Sequence, residues 1–95
     1  MNSEYKVIWN EPIMQELGDL VLRLMEQGRN PAGVVKAIAA AEATLSSEPH
    51  EAGESRDHNN RVLIESPLSV TFRVVDTEKT VYILSAHYYP PKSTD

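Results

Sequence analysis

Arg61 to Tyr89 reads RVLIESPLSVTFRVVDTEKTVYILSAHYY, and this stretch decides the fold. Val62-Leu63-Ile64 has the composition of a strand. Pro67 ends that strand or begins the next, because proline has no N–H to give to a ladder. Leu68, Val70, Phe72 and Val74 then alternate with Ser69, Thr71, Arg73 and Val75. That two-residue period is the mark of an antiparallel strand with one buried face. Asp76-Thr77-Glu78-Lys79 is a tight polar turn. Beyond it Val81, Ile83 and Ser85 alternate with Tyr82, Leu84 and Ala86, and His87-Tyr88-Tyr89 close the strand. Pro90-Pro91 stops it, and residues 90–95 are expected to fray.

The residues before this meander follow a different period. Tyr5 to Trp9 is a short strand of β-formers, with Tyr5, Val7 and Trp9 on one face. Asn10 can cap a helix that has Pro12 in its first turn. Ile13, Leu17, Leu20, Val21 and Leu24 recur at helical spacing, Met25 widens the stripe, and Gly28 ends it. Asn30-Pro31 is a second start signal, for a helix running to about Leu45 with Val34, Val35, Ile38, Ala41 and Leu45 as its stripe. The short connection predicts an antiparallel helical hairpin over residues 11–28 and 31–45. The expected fold class is α+β: an N-terminal strand, a helical hairpin, then a three-strand antiparallel meander, giving an antiparallel sheet of about four strands. The expected core is Trp9, Leu17, Leu20, Val21, Leu24, Val35, Ile38, Leu63 or Ile64, Val70, Phe72, Val74, Val81 and Ile83. Residues 46–60, SSEPHEAGESRDHNN, have almost no apolar side chain and read as a flexible loop.

Composition narrows the function classes. Ninety-five residues make a single domain over 1–95, with no room for a cofactor domain. No cysteine is present, which excludes disulfides, thiolate catalysis and cysteine zinc sites. No apolar run reaches membrane-span length, and the first ten residues lack signal-peptide organisation. A cytoplasmic bacterial protein is the expectation. Nine Lys and Arg against fourteen Asp and Glu leave a net charge of −5, which lowers the expectation of unaided nucleic-acid binding.

The order strand–helix–helix–strand–strand–strand, with "SPLSVTFRVVDTEKTVYIL" as its strongest segment, resembles the RelE/ParE toxin superfamily of type II toxin–antitoxin systems, the plasmid-stabilisation-like proteins. The resemblance covers nearly the whole chain. It implies a cognate antitoxin peptide as partner. In the ribosome-dependent branch it implies mRNA cleavage, in which cations on the sheet stabilise charge gained by the phosphate. A histidine or tyrosine near the C-terminus then moves protons. Carried over to this chain, the resemblance assigns Arg73, His87 and Tyr88 or Tyr89 as catalytic groups. It assigns Arg61 and Arg56 to nucleic-acid contact, with His58 as a further substitute for family lysines. Ser69 stands where the family has an arginine, so the cation set is depleted. The gyrase-directed branch implies a basic C-terminal region, of which only Lys92 is present. Two functions follow: a toxin acting on translation, or a non-catalytic member that serves as an interaction module.

Blander readings stand beside these. Arg61 and Arg73 can be exposed strand residues paired with Glu65 or Glu78, contributing about 0–1 kcal/mol. His50, His58 and the neighbouring acids lack helical metal-ligand spacing and read as a solvated acidic loop, so no metal and no cofactor is expected. Trp9, Tyr82, Tyr88 and Tyr89 can stack bases but more often pack across strands. Tyr88 and Tyr89 point to opposite faces, so at most one belongs to the core.

Overall fold

The computed structural model describes residues 4–52, 54–55 and 60–90. Strand β1 spans Lys6–Trp9, helix α1 Glu11–Glu26 and helix α2 Ala32–Ser47. Strands β2 (Glu54–Ser55), β3 (Asn60–Glu65), β4 (Leu68–Val75) and β5 (Thr80–Tyr88) follow. The five strands form one sheet in the order β1-β5-β4-β3-β2. The meander β3 to β5 is antiparallel as expected, β2 extends it by an antiparallel strand inside the stretch read as a loop, and β1 lies parallel to β5 rather than antiparallel, so the sheet is mixed. The crossover causes this. A helical hairpin separates β1 from the meander, and the meander brings β5 back beside β1.

Local chemistry explains the helix ends. The Asn10 side chain accepts from the Ile13 N–H at 3.0 Å, and Pro12 sits in the first turn, where an N–H is dispensable. Gly28 follows α1 with φ 72°, a left-handed position suited to glycine. Asn30 accepts from the Ala32 N–H at 2.9 Å and opens α2. Helix α2 continues through Ser47, two residues past the expected end. The stretch read as a flexible loop is therefore partly ordered structure. Ser46 and Ser47 are helical, Pro49 and Ala52 are buried, and Glu54–Ser55 and Asn60 pair in the sheet.

Both helices cover one face of the sheet. Ile13, Leu17, Leu20 and Leu24 from α1 join Val34, Ala37, Ala41 and Leu45 from α2. They pack with Leu63, Leu68, Val70, Phe72, Val81 and Ile83 from the sheet. Phe72 at the centre of β4 is fully buried. Among the expected core residues, Val35 is exposed, as is Met25 from the expected α1 stripe, because each lies too far round its helix from the sheet. Leu63 is buried and Ile64 faces solvent, as period-two geometry requires of neighbours. Trp9, Val21, Ile38 and Val74 are half-buried at the rim of the core.

The regular alternation expected for β5 breaks once. Thr71 pairs with Ser85, but Phe72 pairs with Ile83, so Leu84 is an extra residue in a β-bulge. Before the bulge Val81 and Ile83 face the helices. After it Ala86 and Tyr88 do, opposite Val70 and Leu68. Ser85 and His87 turn to the uncovered face. Asp76–Glu78 form a 3-10 turn, and Lys79 closes it in the left-handed region at φ 51°.

Candidate functional site

The uncovered sheet face has four cross-strand rows fixed by the register. They are Lys6–Thr80–Val75, Ile8–Tyr82–Arg73–Asn60, Ser85–Thr71–Val62 and His87–Ser69–Ile64. Of the residues expected to carry chemistry, Arg73 and His87 are on this face, and both are exposed. They are four β4 positions apart, about 13 Å along the sheet at the usual strand rise. Arg73 is drawn sideways rather than toward His87: its Nε donates to Asn60 Oδ1 at 3.3 Å. The strand neighbours of His87 in its row, Ser69 and Ile64, carry no charge.

The other assigned residues do not join them. Arg61 pairs with Phe72 and therefore lies on the helix-covered side. Its Nε donates to the Ala52 carbonyl at 3.2 Å, holding the segment between α2 and β2 against the sheet. Tyr88 is also on the helix side, because the Leu84 bulge has reversed the end of β5. It lines a cleft of about 390 Å³ with Glu16, Asp19, Leu20, Arg23 and Ala86. Tyr89 lies past the strand and is 61% exposed, and its N–H donates to the Pro67 carbonyl at 2.8 Å. Thus one ring of the Tyr88-Tyr89 pair meets the core and the other meets solvent. Arg56 and His58 lie outside the described residues. Neither arginine pairs with Glu65 or Glu78 as the blander reading had it.

Arg73 has a different neighbour of interest. With Ile8, Asn10, Val75, Tyr82 and Leu84 it lines a shallow pocket of about 300 Å³. Tyr82 donates its hydroxyl to Glu78 Oε1 at 2.6 Å, and this bond to a carboxylate raises the phenol's pKa above its usual value. Tyr82 therefore keeps its proton and makes a poor general base. The pocket offers one guanidinium, an aromatic ring and an aliphatic floor, which suits binding better than proton transfer.

A second polar cluster sits where the β4–β5 turn meets the start of β1. Asp76 Oδ1 accepts from the Tyr5 hydroxyl and from His50 Nε2, each at 2.6 Å. The Tyr5 bond, then the His50 bond, lowers the Asp76 pKa, while the Tyr5 pKa rises because it donates to that carboxylate. Lys79 Nζ lies 4.8 Å from the centre of the Tyr5 ring. Sequence reading missed this cluster. It joins residues 71 and 26 positions apart, and no local spacing signals such a contact. Among the described residues there is no group of three or more metal-ligating side chains. No described helix is long and apolar enough to cross a membrane.

Neither a protein-family model nor a curated protein matches the sequence. The fold does match a solved one. A chain of the toxin–antitoxin complex RelBE2 from Mycobacterium tuberculosis is similar with a TM-score of 0.64 and 24% identity. The match covers 90% of this chain and 91% of that chain. The β1–hairpin–meander architecture, with one sheet face packed and the other open, is therefore the RelE-like toxin fold.

Proposed function

We propose that this protein is the toxin-fold partner of a bacterial type II toxin–antitoxin pair, bound by a cognate antitoxin in the cytoplasm. Its capacity to cleave ribosome-bound mRNA is weak. The observation that carries the toxin-pair reading is the fold match over nine-tenths of the chain to a component of a toxin–antitoxin complex. The weak chemistry follows from the open face. Acid–base catalysis needs the proton-moving group within hydrogen-bond reach of the reacting oxygen. Charge stabilisation needs cations aimed at the same phosphate. Here Arg73 and His87 are separated along the sheet, and neither Thr71 and Ser85 between their rows nor Ser69 beside His87 supplies a charge.

A non-catalytic interaction module is the second reading. The observation that favours it is that Tyr88 and Arg61 lie on the helix side, away from Arg73 and His87. Arg61 is already committed to the Ala52 carbonyl. Induced expression in a bacterial host, with growth and translation followed in parallel, separates the two. Slow growth relieved by His87→Ala or Arg73→Ala supports residual cleavage. Normal growth, with tight binding of the neighbouring gene's product, supports the module. Strong arrest unchanged by both substitutions rules out the Arg73–His87 site.

A further inference from the structure

The cleft between α1 and the end of β5 sets a wall of mixed charge over an apolar floor. Its volume of about 390 Å³ is within the range of small-ligand sites. Leu17 and Leu20 form the floor, and both belong to the core. Ala86 and Tyr88, each half-buried, form the β5 wall. They face the helices because the Leu84 bulge has reversed the end of β5, and bulges commonly re-aim side chains beside sites.

The other wall is one face of α1. Glu16, Asp19 and Arg23 lie at i, i+3 and i+7, so they stand in one row, and all three are exposed. Asp19 and Arg23 have the i, i+4 spacing and the acid-first order that favour a helical ion pair. Yet among the described residues no ion pair joins Arg23 to Asp19 or Glu16. The row therefore presents two carboxylates at one end and a guanidinium at the other. Arg23 is about 6 Å further along the helix axis than Asp19.

Charge selects the ligand class. A simple anion meets Glu16 and Asp19, and a simple cation meets Arg23, so each is opposed at one end. A molecule carrying both charges is opposed at neither. In an α-amino acid the ammonium and the carboxylate sit on one carbon. A hydrogen bond of about 2.9 Å at each end lets such a molecule bridge Asp19 to Arg23. Its side chain then lies over Leu17, Leu20 and Ala86, and an aromatic side chain stacks on the Tyr88 ring.

We propose that the α1–β5 cleft binds a free α-amino acid with an apolar side chain. Glu16 and Asp19 take the ammonium, Arg23 takes the carboxylate, and the side chain rests between the leucine floor and Tyr88. Exposed charges contribute little singly, so the affinity is in the millimolar range. The cleft is on the helix side of the sheet and shares no residue with the Arg73–His87 face, so the proposal stands whether or not the protein cleaves RNA.

The full chain is titrated with phenylalanine and with three fragments of it. Phenethylamine lacks the carboxylate, 3-phenylpropionate lacks the ammonium, and glycine lacks the ring. Binding is read by backbone amide shifts. Phenylalanine saturates below about 10 mM and binds about tenfold more tightly than any fragment. Shifts centre on Leu17, Leu20, Ala86 and Tyr88. Arg23→Gln removes the advantage of phenylalanine over phenethylamine. The double variant Glu16→Gln, Asp19→Asn removes its advantage over 3-phenylpropionate. These substitutions fall at exposed positions outside the core, so a changed preference reads the cleft and not the fold. Four outcomes each overturn the proposal. These are no saturation below about 10 mM, a fragment that binds as tightly as phenylalanine, shifts centred elsewhere, or variants that leave the preferences unchanged.

Discussion

The two faces of the sheet answer to different physical demands, one packed under the helices and the other carrying the polar rows. On the helix side, Val70, Phe72, Val81 and Ile83 are essentially inaccessible and pack in one apolar cluster with residues of both helices. On the open side the rows mix aliphatic, hydroxyl and charged residues, and each charged group is bonded locally or isolated. Packing tolerates little change, since interiors are close-packed. The open face carries no such demand, so residues there can be lost without loss of the fold.

The largest expected effect tests the packed face. Phe72→Ala removes a fully buried ring from the centre of β4 and should cost roughly 3–5 kcal/mol. Ile64→Ser on the open face of the adjacent strand should change stability by no more than about 0.5 kcal/mol. Urea unfolding of both variants measures the contrast. If the two losses were comparable, the assignment of one packed and one free face would be wrong.

Deleting Leu84 probes the boundary between the faces. Removing the extra residue joins Ile83 to Ser85 in plain alternation, so Ser85 and His87 keep the open face and Ala86 and Tyr88 the helix side, now without a bulge. Because pairing and facing are kept, the deletion should change stability by no more than about 1 kcal/mol. The amide and side-chain resonances of His87 and Tyr88 would report the retained facing. A deletion variant in which His87 became buried and Tyr88 exposed would mean that Leu84 is not the extra residue of β5.

The bulge also marks where sequence reading reached its limit. The meander, the helical hairpin and Phe72 at the centre were legible because each rests on a local period. Patterns of two and 3.6 residues identify strands and helices whatever the tertiary context. Tyr88 as a site residue was not legible. Its face depends on one extra residue in β5, and "TVYILSAHYY" has no glycine or proline to announce a bulge. Arg61 fails for a related reason: a one-residue choice of register in β3 decides its face. The Tyr5–Asp76–His50 cluster depends on the mixed topology, since it forms only when β1 lies beside β5.

Gly18 offers a smaller and cleaner test, because it concerns the free protein alone. Gly18→Ala replaces the poorer helix former where a Cβ meets nothing, so stability should rise by about 0.5–1 kcal/mol. A thermal melt showing a loss of stability would instead reveal an internal constraint on that position.

The smallest effect is a pH dependence at the edge of the sheet. The hydrogen bonds from Tyr5 and His50 hold the Asp76 carboxyl below its ordinary value. A carboxyl with a depressed folded-state pKa stabilises the fold fully above its unfolded pKa, near about 3.9. That contribution fades as pH falls through the lower folded value, because the folded state then gives up its advantage in binding fewer protons. Tyr5 and Tyr82 behave oppositely. Their raised values mean a contribution fully present below about pH 10 and lost as pH rises through the folded pKa. All three groups are solvent-exposed, so screening keeps the effects small. Melting temperatures of the parent and Asp76→Asn should therefore differ by a constant amount from pH 6 to pH 8 and converge below about pH 4. Tyr82→Phe should leave that acid limb unchanged and flatten only the alkaline one. An acid limb that is identical in parent and Asp76→Asn would show that the contact joining β1 to the β4–β5 turn contributes nothing to stability in solution.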